Sequence, residues 1–257
     1  MLSDADLAIA AARAGAAVAR SRYGGSLSRL AKSGLDFATD ADIAAEHAIT
    51  DLLRANRPDD AILGEELGAV GSAERTWLVD PICGTANFAA QTPLVAVNVA
   101  LRTGDRFAAA AAADPIADEV FWTDGTSAWR RTGDADDPLT PDPASRLVDL
   151  NLDPPFPNAG RFSAAGLLTR PEFAAAFQPR VVSTTLALAW VAAGRHAGYV
   201  TDGDLRDSVH FAAGIALGRA AGCVVTDLFG GPVLAGPTGL VAAADRATHD
   251  ALRALIG

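Results

Sequence analysis

Three acidic side chains lie at the ends of two short apolar runs in the first third of the sequence. Glu65 and Glu66 follow one run, and Asp80 ends the next run directly before Pro81. A carboxylate at the end of a buried strand is costly unless another group compensates its charge. Carboxylate oxygens are the ligands that Mg²⁺ prefers in proteins. These residues therefore predict a divalent-metal site at the edge of a sheet.

The turn after Asp80 offers groups that suit an anion. Gly84 leaves the neighbouring backbone N–H groups accessible, and Thr85 adds a hydroxyl. Such a turn is typical of phosphate sites. Taken one at a time, the Asp80-Pro81 pair would be a strand-ending turn and the two glutamates a solvated edge. Their combination in one short stretch favours a site for a metal and a phosphate together.

The elements that must position these residues are predicted from periodicity and capping signals. Ser3 precedes an alanine-rich periodic segment that ends near Arg22, and Thr39 precedes a second helical segment from Asp40 to Asn56. A hydroxyl residue before such a segment is a helix start signal. Short apolar runs then predict strands, with turns at Gly104 and Gly125 that fit an antiparallel meander: Ala61–Leu63, Trp77–Ile82, Leu94–Arg102, Phe107–Ala113, Glu119–Thr123 and Ser127–Arg131.

The second half of the chain alternates the two element types. Helices are predicted at Leu186–Gly194, at Ser208–Gly222 and from Arg246 onward, and strands at Cys223–Asp227 and Leu240–Ala243. A segment rich in Asp and Pro, residues 132–157, predicts a boundary between an N-terminal α+β part, residues 1–135, and a C-terminal α/β part, residues 136–257. This order of elements predicts a layered α+β or α/β fold.

Composition excludes several classes of protein. The chain has 257 residues and a formal net charge of −10, so it lacks the basic surplus expected of a nucleic-acid-binding protein. Its apolar stretches are too short for a membrane span, and its first residues lack the basic region of an export signal. Cys83 and Cys223 are one pair at most, which fits a reducing compartment. A cytoplasmic protein without membrane or nucleic-acid partners is expected.

Three motifs resemble the inositol monophosphatase family of metal-dependent sugar phosphatases. They are Asp36–Asp42 (DFATDAD), Gly64–Glu66 (GEE) and Asp80–Phe88 (DPICGTANF), and further similarity at Asp114–Phe121 and Asp227–Pro232 extends the resemblance over nearly the whole chain. The resemblance implies a layered αβαβα sandwich whose site lies where the first, antiparallel sheet meets the C-terminal part. It also implies a homodimer and Mg²⁺-dependent hydrolysis of a small polyol- or sugar-phosphate.

The same resemblance assigns roles to single residues. Glu66, Asp80, the carbonyl of Ile82 and the hydroxyl of Thr85 match ligands of the first metal. Asp42 matches the acid near the attacking water, so Asp42, Glu66 and Thr85 are the expected catalytic residues. Gly84 and Thr85 match the turn that binds phosphate.

Two positions depart from the family pattern. Cys83 and His210 stand where the family has the aspartates that, together with Asp80, hold a second metal. Three interpretations are open. In the first, the second Mg²⁺ site is lost, which weakens the phosphatase. In the second, Asp80, Cys83 and His210 form a softer site for Zn²⁺ or Mn²⁺, and in the third, Asp207 replaces the missing acid. A buried cysteine and a hydrogen-bonded histidine are commoner than a new metal site, so the first interpretation is our expectation.

Substrate recognition is harder to predict. Ser183, Thr184, Asp204 and Arg206 are the polar residues expected to line the substrate pocket, but their segment departs from the family pattern and does not predict inositol specificity. Two alternative functions therefore stay open. One is a catalytically impaired family member that binds a phosphorylated ligand or a partner protein, and the other is a nucleotide or bisphosphate phosphatase of the same superfamily.

Overall fold

The structure, a computed structural model, describes residues 2–32, 34–153, 157–205, 208–233 and 238–257. Arg206 and Asp207, expected near the substrate and the second metal, lie outside the described residues. The helices are α1 Asp4–Arg22, α2 Asp40–Asn56, α3 Thr85–Ala89, α4 Pro171–Ala176, α5 Leu186–Ala192, α6 Val209–Ala221 and α7 Arg246–Ile256. The strands are β1 Arg29–Ala31, β2 Phe37–Thr39, β3 Ala61–Gly64, β4 Ala69–Val70, β5 Arg75–Cys83, β6 Ala96–Thr103, β7 Arg106–Asp114, β8 Glu119–Thr123, β9 Ala128–Thr132, β10 Ala135–Pro138, β11 Leu147–Asn151, β12 Gln178–Val181, β13 Gly198–Thr201, β14 Val224–Thr226 and β15 Leu240–Ala243.

Helices α1 and α2 begin where the sequence predicts. The Ser3 hydroxyl accepts a hydrogen bond from the backbone N–H of Asp6 at 3.1 Å. At the start of α2, Thr39 and Asp42 form a capping box, in which the Asp42 carboxylate accepts from the Thr39 N–H at 2.8 Å. A capping box satisfies backbone donors that a helix start leaves unpaired. The box also fixes the Asp42 side chain at a buried helix start.

The first sheet has eight strands in the order β10-β9-β8-β7-β6-β5-β3-β4. Its neighbours are antiparallel except β3 and β5, which are parallel. The central strand β7 is largely alanine, and Ala109 and Ala111 face α1 whereas Ala110 and Ala112 face α6. Successive side chains of a strand point to opposite faces, so small residues let helices approach on both sides. The sheet is therefore buried between two helical layers.

A second sheet completes the C-terminal half. Its order is β12-β11-β13-β15-β14, with parallel pairs on both sides of β11 and antiparallel pairs elsewhere. Helices α5 and α6 lie between the two sheets, and α4 and α7 cover the outer face of the second. The layers therefore run α, β, α, β, α, which confirms the fold predicted by the resemblance.

Several elements were not predicted. The hairpin of β1 and β2, the edge strands β4 and β10, and the short helices α3 and α4 are too brief to leave a periodic signal. Strand β10 spans the expected boundary after residue 135, and one hydrophobic cluster joins Leu78 of β5 to Leu186 of α5. The division into two parts stays a prediction. Among the described residues, no helix combines the length and apolar character that crossing a bilayer requires.

Candidate metal and phosphate site

Asp80 lies in β5 at an irregularity of the sheet. The register between β5 and β6 shifts between Asp80 and Cys83, and such bulges redirect side chains next to active sites. Asp80 is 0% exposed, and its Oδ2 lies 2.8 Å from His210 Nδ1. Its Oδ1 is buried without a hydrogen-bond partner. A buried carboxylate with an unsatisfied oxygen needs a further positive partner.

The two adjacent glutamates lie at the same sheet edge. Strand β3, which precedes them, is parallel to β5, and the Glu65 N–H donates to the carbonyl of Val79 at 3.1 Å. Glu46 of α2 shapes this turn, because its buried carboxylate accepts from the Glu66 N–H at 2.8 Å. A Cβ on Gly64 would lie 1.7 Å from Glu46 Oε1, so a larger residue there would displace the Glu46 carboxylate.

Lys32, the only lysine of the sequence, is paired with both glutamates. Its Nζ donates to Glu65 Oε1 at 2.8 Å and to Glu66 Oε1 at 2.6 Å. Burial by itself lowers the pKa of Lys32, but the hydrogen bonds to the two carboxylates outweigh it and raise that pKa. The positive charge of the lysine therefore lies against a carboxylate that is also a predicted metal ligand.

Asp42 and Thr85 are connected directly. The Thr85 hydroxyl lies 3.0 Å from Asp42 Oδ1, to which it donates, and 3.2 Å from the carbonyl of Ile82. Burial raises the pKa of Asp42, against the opposing effect of hydrogen bonds from Thr39 and Thr85. The structure thus brings together three of the predicted residues from α2, β5 and α3.

The turn at Gly84 has a backbone conformation that requires glycine. Its φ is +99°, and a Cβ there would lie 2.8 Å from the carbonyl oxygen of Leu94 and 3.0 Å from that of Ser183. Asn87 Nδ2 donates to the same two carbonyls, at 3.0 and 2.9 Å. The turn that starts α3 is therefore held against the segment before α5.

The two residues that depart from the family pattern lie beside Asp80. The ligating atoms of Asp80, Cys83 and His210 all lie within 4.8 Å of one another. Thr185 donates to Cys83 Sγ from its hydroxyl at 3.0 Å and from its N–H at 3.4 Å. Burial and the nearby Asp80 charge raise the pKa of the Cys83 thiol to about 11. Burial lowers the pKa of His210, but the Asp80 charge outweighs it and raises that pKa well above its ordinary value.

The predicted substrate residues are placed differently from one another. Thr184 is 1% exposed and its hydroxyl accepts from the Leu186 N–H at 3.2 Å, so it orients the start of α5. A role of Thr184 in the substrate pocket stays a prediction. Ser183 is half-buried and its hydroxyl donates to Asp153, and Asp204 is half-buried between β13 and α6. The substrate roles of Ser183 and Asp204 stay predictions.

Three residues around the site were missed from the sequence. Glu46 lies four residues after Asp42 on a helix that the sequence does predict, and that spacing places both on one face. Lys32 is distinguished only by being the sole lysine. Thr185 carries no sequence signal, because its role depends on how α5 packs against β5.

Stability without divalent cations is expected to fall as the pH rises. Burial, then the Asp80 charge, raise the pKa of Glu65 from 4.5 to about 8. Between these two pKa values, Glu65 is protonated in the native chain but ionised in the unfolded chain. One such proton makes the free energy of unfolding fall by about 1.4 kcal/mol for each pH unit of increase. Chemical denaturation from pH 5 to 8 in a chelating buffer measures this slope. A Glu65→Gln variant should show a shallower slope, and an increase in stability with pH would contradict the expectation.

Comparisons with known proteins agree with the family resemblance of the sequence. A sequence model described as the inositol monophosphatase family matches residues 3–256. The Nus factor SuhB of Escherichia coli K12 is 34% identical over 205 residues, which cover 78% of this chain and 75% of that protein. An inositol-1-monophosphatase of Caulobacter vibrioides is 43% identical, but over 96 residues that span only 36% of this chain and 38% of that protein.

The folds agree over a longer stretch than the sequences. The extragenic suppressor protein suhB of Bartonella henselae superimposes with a TM-score of 0.85 at 28% identity, covering 97% of this chain and 96% of that chain. A Thermotoga maritima IMPase shares the fold with a TM-score of 0.80 at 21% identity, over 98% of this chain and 95% of that chain. The chain therefore belongs to the inositol monophosphatase family of phosphatases.

Proposed function

We propose that the chain is a Mg²⁺-dependent phosphomonoester hydrolase that acts on a small polyol- or sugar-phosphate. The observation that carries the proposal is the state of Asp80, which is buried, surrounded by further carboxylates, and has an unpartnered Oδ1. A divalent cation is the partner that such a group of oxygen donors fits. Family membership supports the same chemistry.

The residues present fit one Mg²⁺ well. Glu66, Asp80, the carbonyl of Ile82 and the hydroxyl of Thr85 would hold it, and all four offer oxygen atoms, as Mg²⁺ requires. The Ile82 carbonyl and the Thr85 hydroxyl are already 3.2 Å apart. When bound, the ion neutralises charge on the transferred phosphoryl group and makes a water easier to deprotonate.

Asp42 and Thr85 provide a route for the proton of the attacking water. Thr85 Oγ1 accepts that proton while its own hydroxyl proton passes to Asp42 Oδ1, 3.0 Å away. Asp42 begins as a carboxylate and ends protonated, and the pKa increase caused by its burial favours this acceptance. The hydrogen bonds from Thr39 hold the second carboxylate oxygen, so the acceptor oxygen stays directed at Thr85.

The Gly84 turn is where we place the phosphate. Backbone N–H groups at the start of a helix lack intrahelical partners, and here they belong to the first residues of α3. Because Gly84 has no side chain, the turn packs closely against the carbonyls of Leu94 and Ser183, which holds these N–H groups in place. Thr85 would then contact both the phosphate and the proton route.

A substrate panel tests the proposal. Phosphate release from polyol and sugar monophosphates with Mg²⁺ is the expected result, and faster release from nucleotides or bisphosphates would favour the superfamily alternative. Cys83 and His210, at positions where the resemblance predicts aspartates, favour a second candidate, a member that binds a phosphorylated ligand without turnover. Calorimetric binding of a sugar phosphate without release would identify that case, and light scattering tests the expected homodimer.

Asp42→Asn is expected to reduce kcat by about 10²- to 10⁴-fold, the usual contribution of a positioned acid or base. The amide accepts no proton from Thr85, while its size preserves the fold. Steady-state kinetics with Mg²⁺ measures the effect. Asp40→Asn is the matched control, because Asp40 lies in the same first helical turn but pairs with Arg22 outside the site. Equal rates for the two variants would remove Asp42 from the mechanism.

A further inference from the structure

We propose that Asp80, Cys83 and His210 form a binding site for Zn²⁺ next to the Mg²⁺ ligands. The inference deepens the proposed function, on which it rests only through the shared residue Asp80. It concerns the identity of the second cation, because the side chains at this position offer one oxygen, one sulfur and one nitrogen. The geometry of the cluster supports it independently of any phosphatase activity.

The three side chains meet at one point. Their ligating atoms all lie within 4.8 Å of one another, although the residues come from β5 and from α6, far apart in sequence. Three protein ligands with a further open position are the usual arrangement of a catalytic zinc site. The oxygen donor of the three, Asp80, is fully buried, and its Oδ1 has no hydrogen-bond partner.

A fourth donor atom lies close by. Glu65 Oε2 is 3.8 Å from His210 Nδ1, and it too is buried without a hydrogen-bond partner. Two unsatisfied carboxylate oxygens, one from β5 and one from the bend after β3, therefore border the same small group of side chains. An imidazole paired with Asp80 satisfies one oxygen of that carboxylate but leaves the other, and Glu65 Oε2, without a partner.

The surroundings of the cysteine fix the position of its sulfur atom. Thr185 donates two hydrogen bonds to Cys83 Sγ, and groups that donate to a ligating atom orient it and tune the bound metal. The side chain of His210 is 40% exposed, whereas Asp80 is buried. The site thus opens to solvent on the histidine side, which provides a route for an ion.

The donor set also discriminates between cations. Mg²⁺ binds oxygen ligands and rarely thiolate or imidazole, whereas Zn²⁺ takes all three donor types. Replacing two aspartates by cysteine and histidine therefore changes which ion the position prefers. The opposed reading is that His210 merely pairs with Asp80 and Cys83 only fills space, and it predicts no thiolate bond to any metal.

Cobalt spectroscopy separates the two readings, because Co²⁺ occupies zinc sites and a thiolate bound to it absorbs strongly in the near ultraviolet. The wild-type protein with Mg²⁺ present is titrated with Co²⁺, and then with Zn²⁺ to displace it. We expect a thiolate band that saturates at one Co²⁺ per chain and is abolished by Zn²⁺. Cys83→Ser, which preserves the acceptor for Thr185, should abolish the band.

Cys223→Ser is the matched control, since Cys223 is the other buried free cysteine and lies outside the site. Its band should equal that of the wild type. His210→Gln, at a part-exposed position, gives a second variant, and its Zn²⁺ affinity by calorimetry should fall more than about tenfold, since even outer partners of ligands cost that much.

Absence of a band in the wild type, or its loss in Cys223→Ser but not in Cys83→Ser, would overturn the site. Unchanged Zn²⁺ affinity in His210→Gln would overturn it as well. Phosphate release with Mg²⁺ is measured on the same samples. A normal cobalt band without phosphate release supports the zinc site and contradicts the proposed function. Phosphate release without a cobalt band supports the proposed function and contradicts the zinc site.

Discussion

Asp80→Asn should reduce Mg²⁺-dependent kcat/KM by about 10³-fold or more, a loss of the size seen when a main electrostatic group is removed from an active site. Asp80 is the residue that the Mg²⁺ ligands and the proposed zinc ligands share. The amide has nearly the same volume as the carboxylate, so packing around this fully buried position is preserved. The negative charge that attracts the cation is lost.

The measurement is kcat/KM on the best substrate of the panel over a range of Mg²⁺ concentrations. Asp114→Asn is the matched control, because Asp114 is also a buried aspartate and lies at the end of β7 in the same sheet. Its Oδ1 accepts from the N–H groups of Ile116 and Ala117, which an asparagine oxygen does equally well. If both variants keep wild-type rates, Asp80 is not a metal ligand and the proposed function loses its main support.

Much of the layered fold is encoded locally. Ser3 and Thr39 mark helix starts that the structure places at the next residue, because hydroxyl caps act within one turn. The alanines of β7 alternate between two helical layers, but their sequence alone does not say which helices cover them. The helix starts and the strands of the first meander were predictable for this reason, but strands β11, β12 and β13 and the identity of the neighbouring layers were not.

The residues of the site were also predictable only where they belong to a local sequence motif. Asp42 and Asp80 were identified through motifs, although Asp80 lies within β5 and not at the strand end that the sequence predicts. Glu46 and Thr185 act through contacts made only after folding, one across a turn to Glu66 and the other onto Cys83. The sequence also does not show that the Thr184 hydroxyl accepts from the Leu186 N–H at the start of α5.

Converting the altered position to three carboxylates is the second large effect that we expect. The double variant Cys83→Asp, His210→Asp should increase the Mg²⁺-dependent rate by roughly 10- to 100-fold and abolish the cobalt band, since Mg²⁺ prefers oxygen ligands and a second ion stabilises the leaving oxygen. The structure favours both replacements. Thr185 can donate to a carboxylate as it does to Cys83 Sγ, and an acid at the start of α6 interacts favourably with the helix dipole.

The single variants are the controls, and each should gain much less, because two ligands of one ion are coupled and their effects do not add. Without Mg²⁺ the double variant crowds carboxylates around Asp80 and should unfold at a lower temperature than the wild type. Adding Mg²⁺ should raise its Tm more than that of the wild type, because an ion that binds only the folded chain stabilises it by mass action. Suppose instead that the double variant folds and binds a second Mg²⁺ but is no faster. The missing carboxylates would then not limit the rate, and the altered recognition segment, residues 182–207, would be the next part of the chain to test.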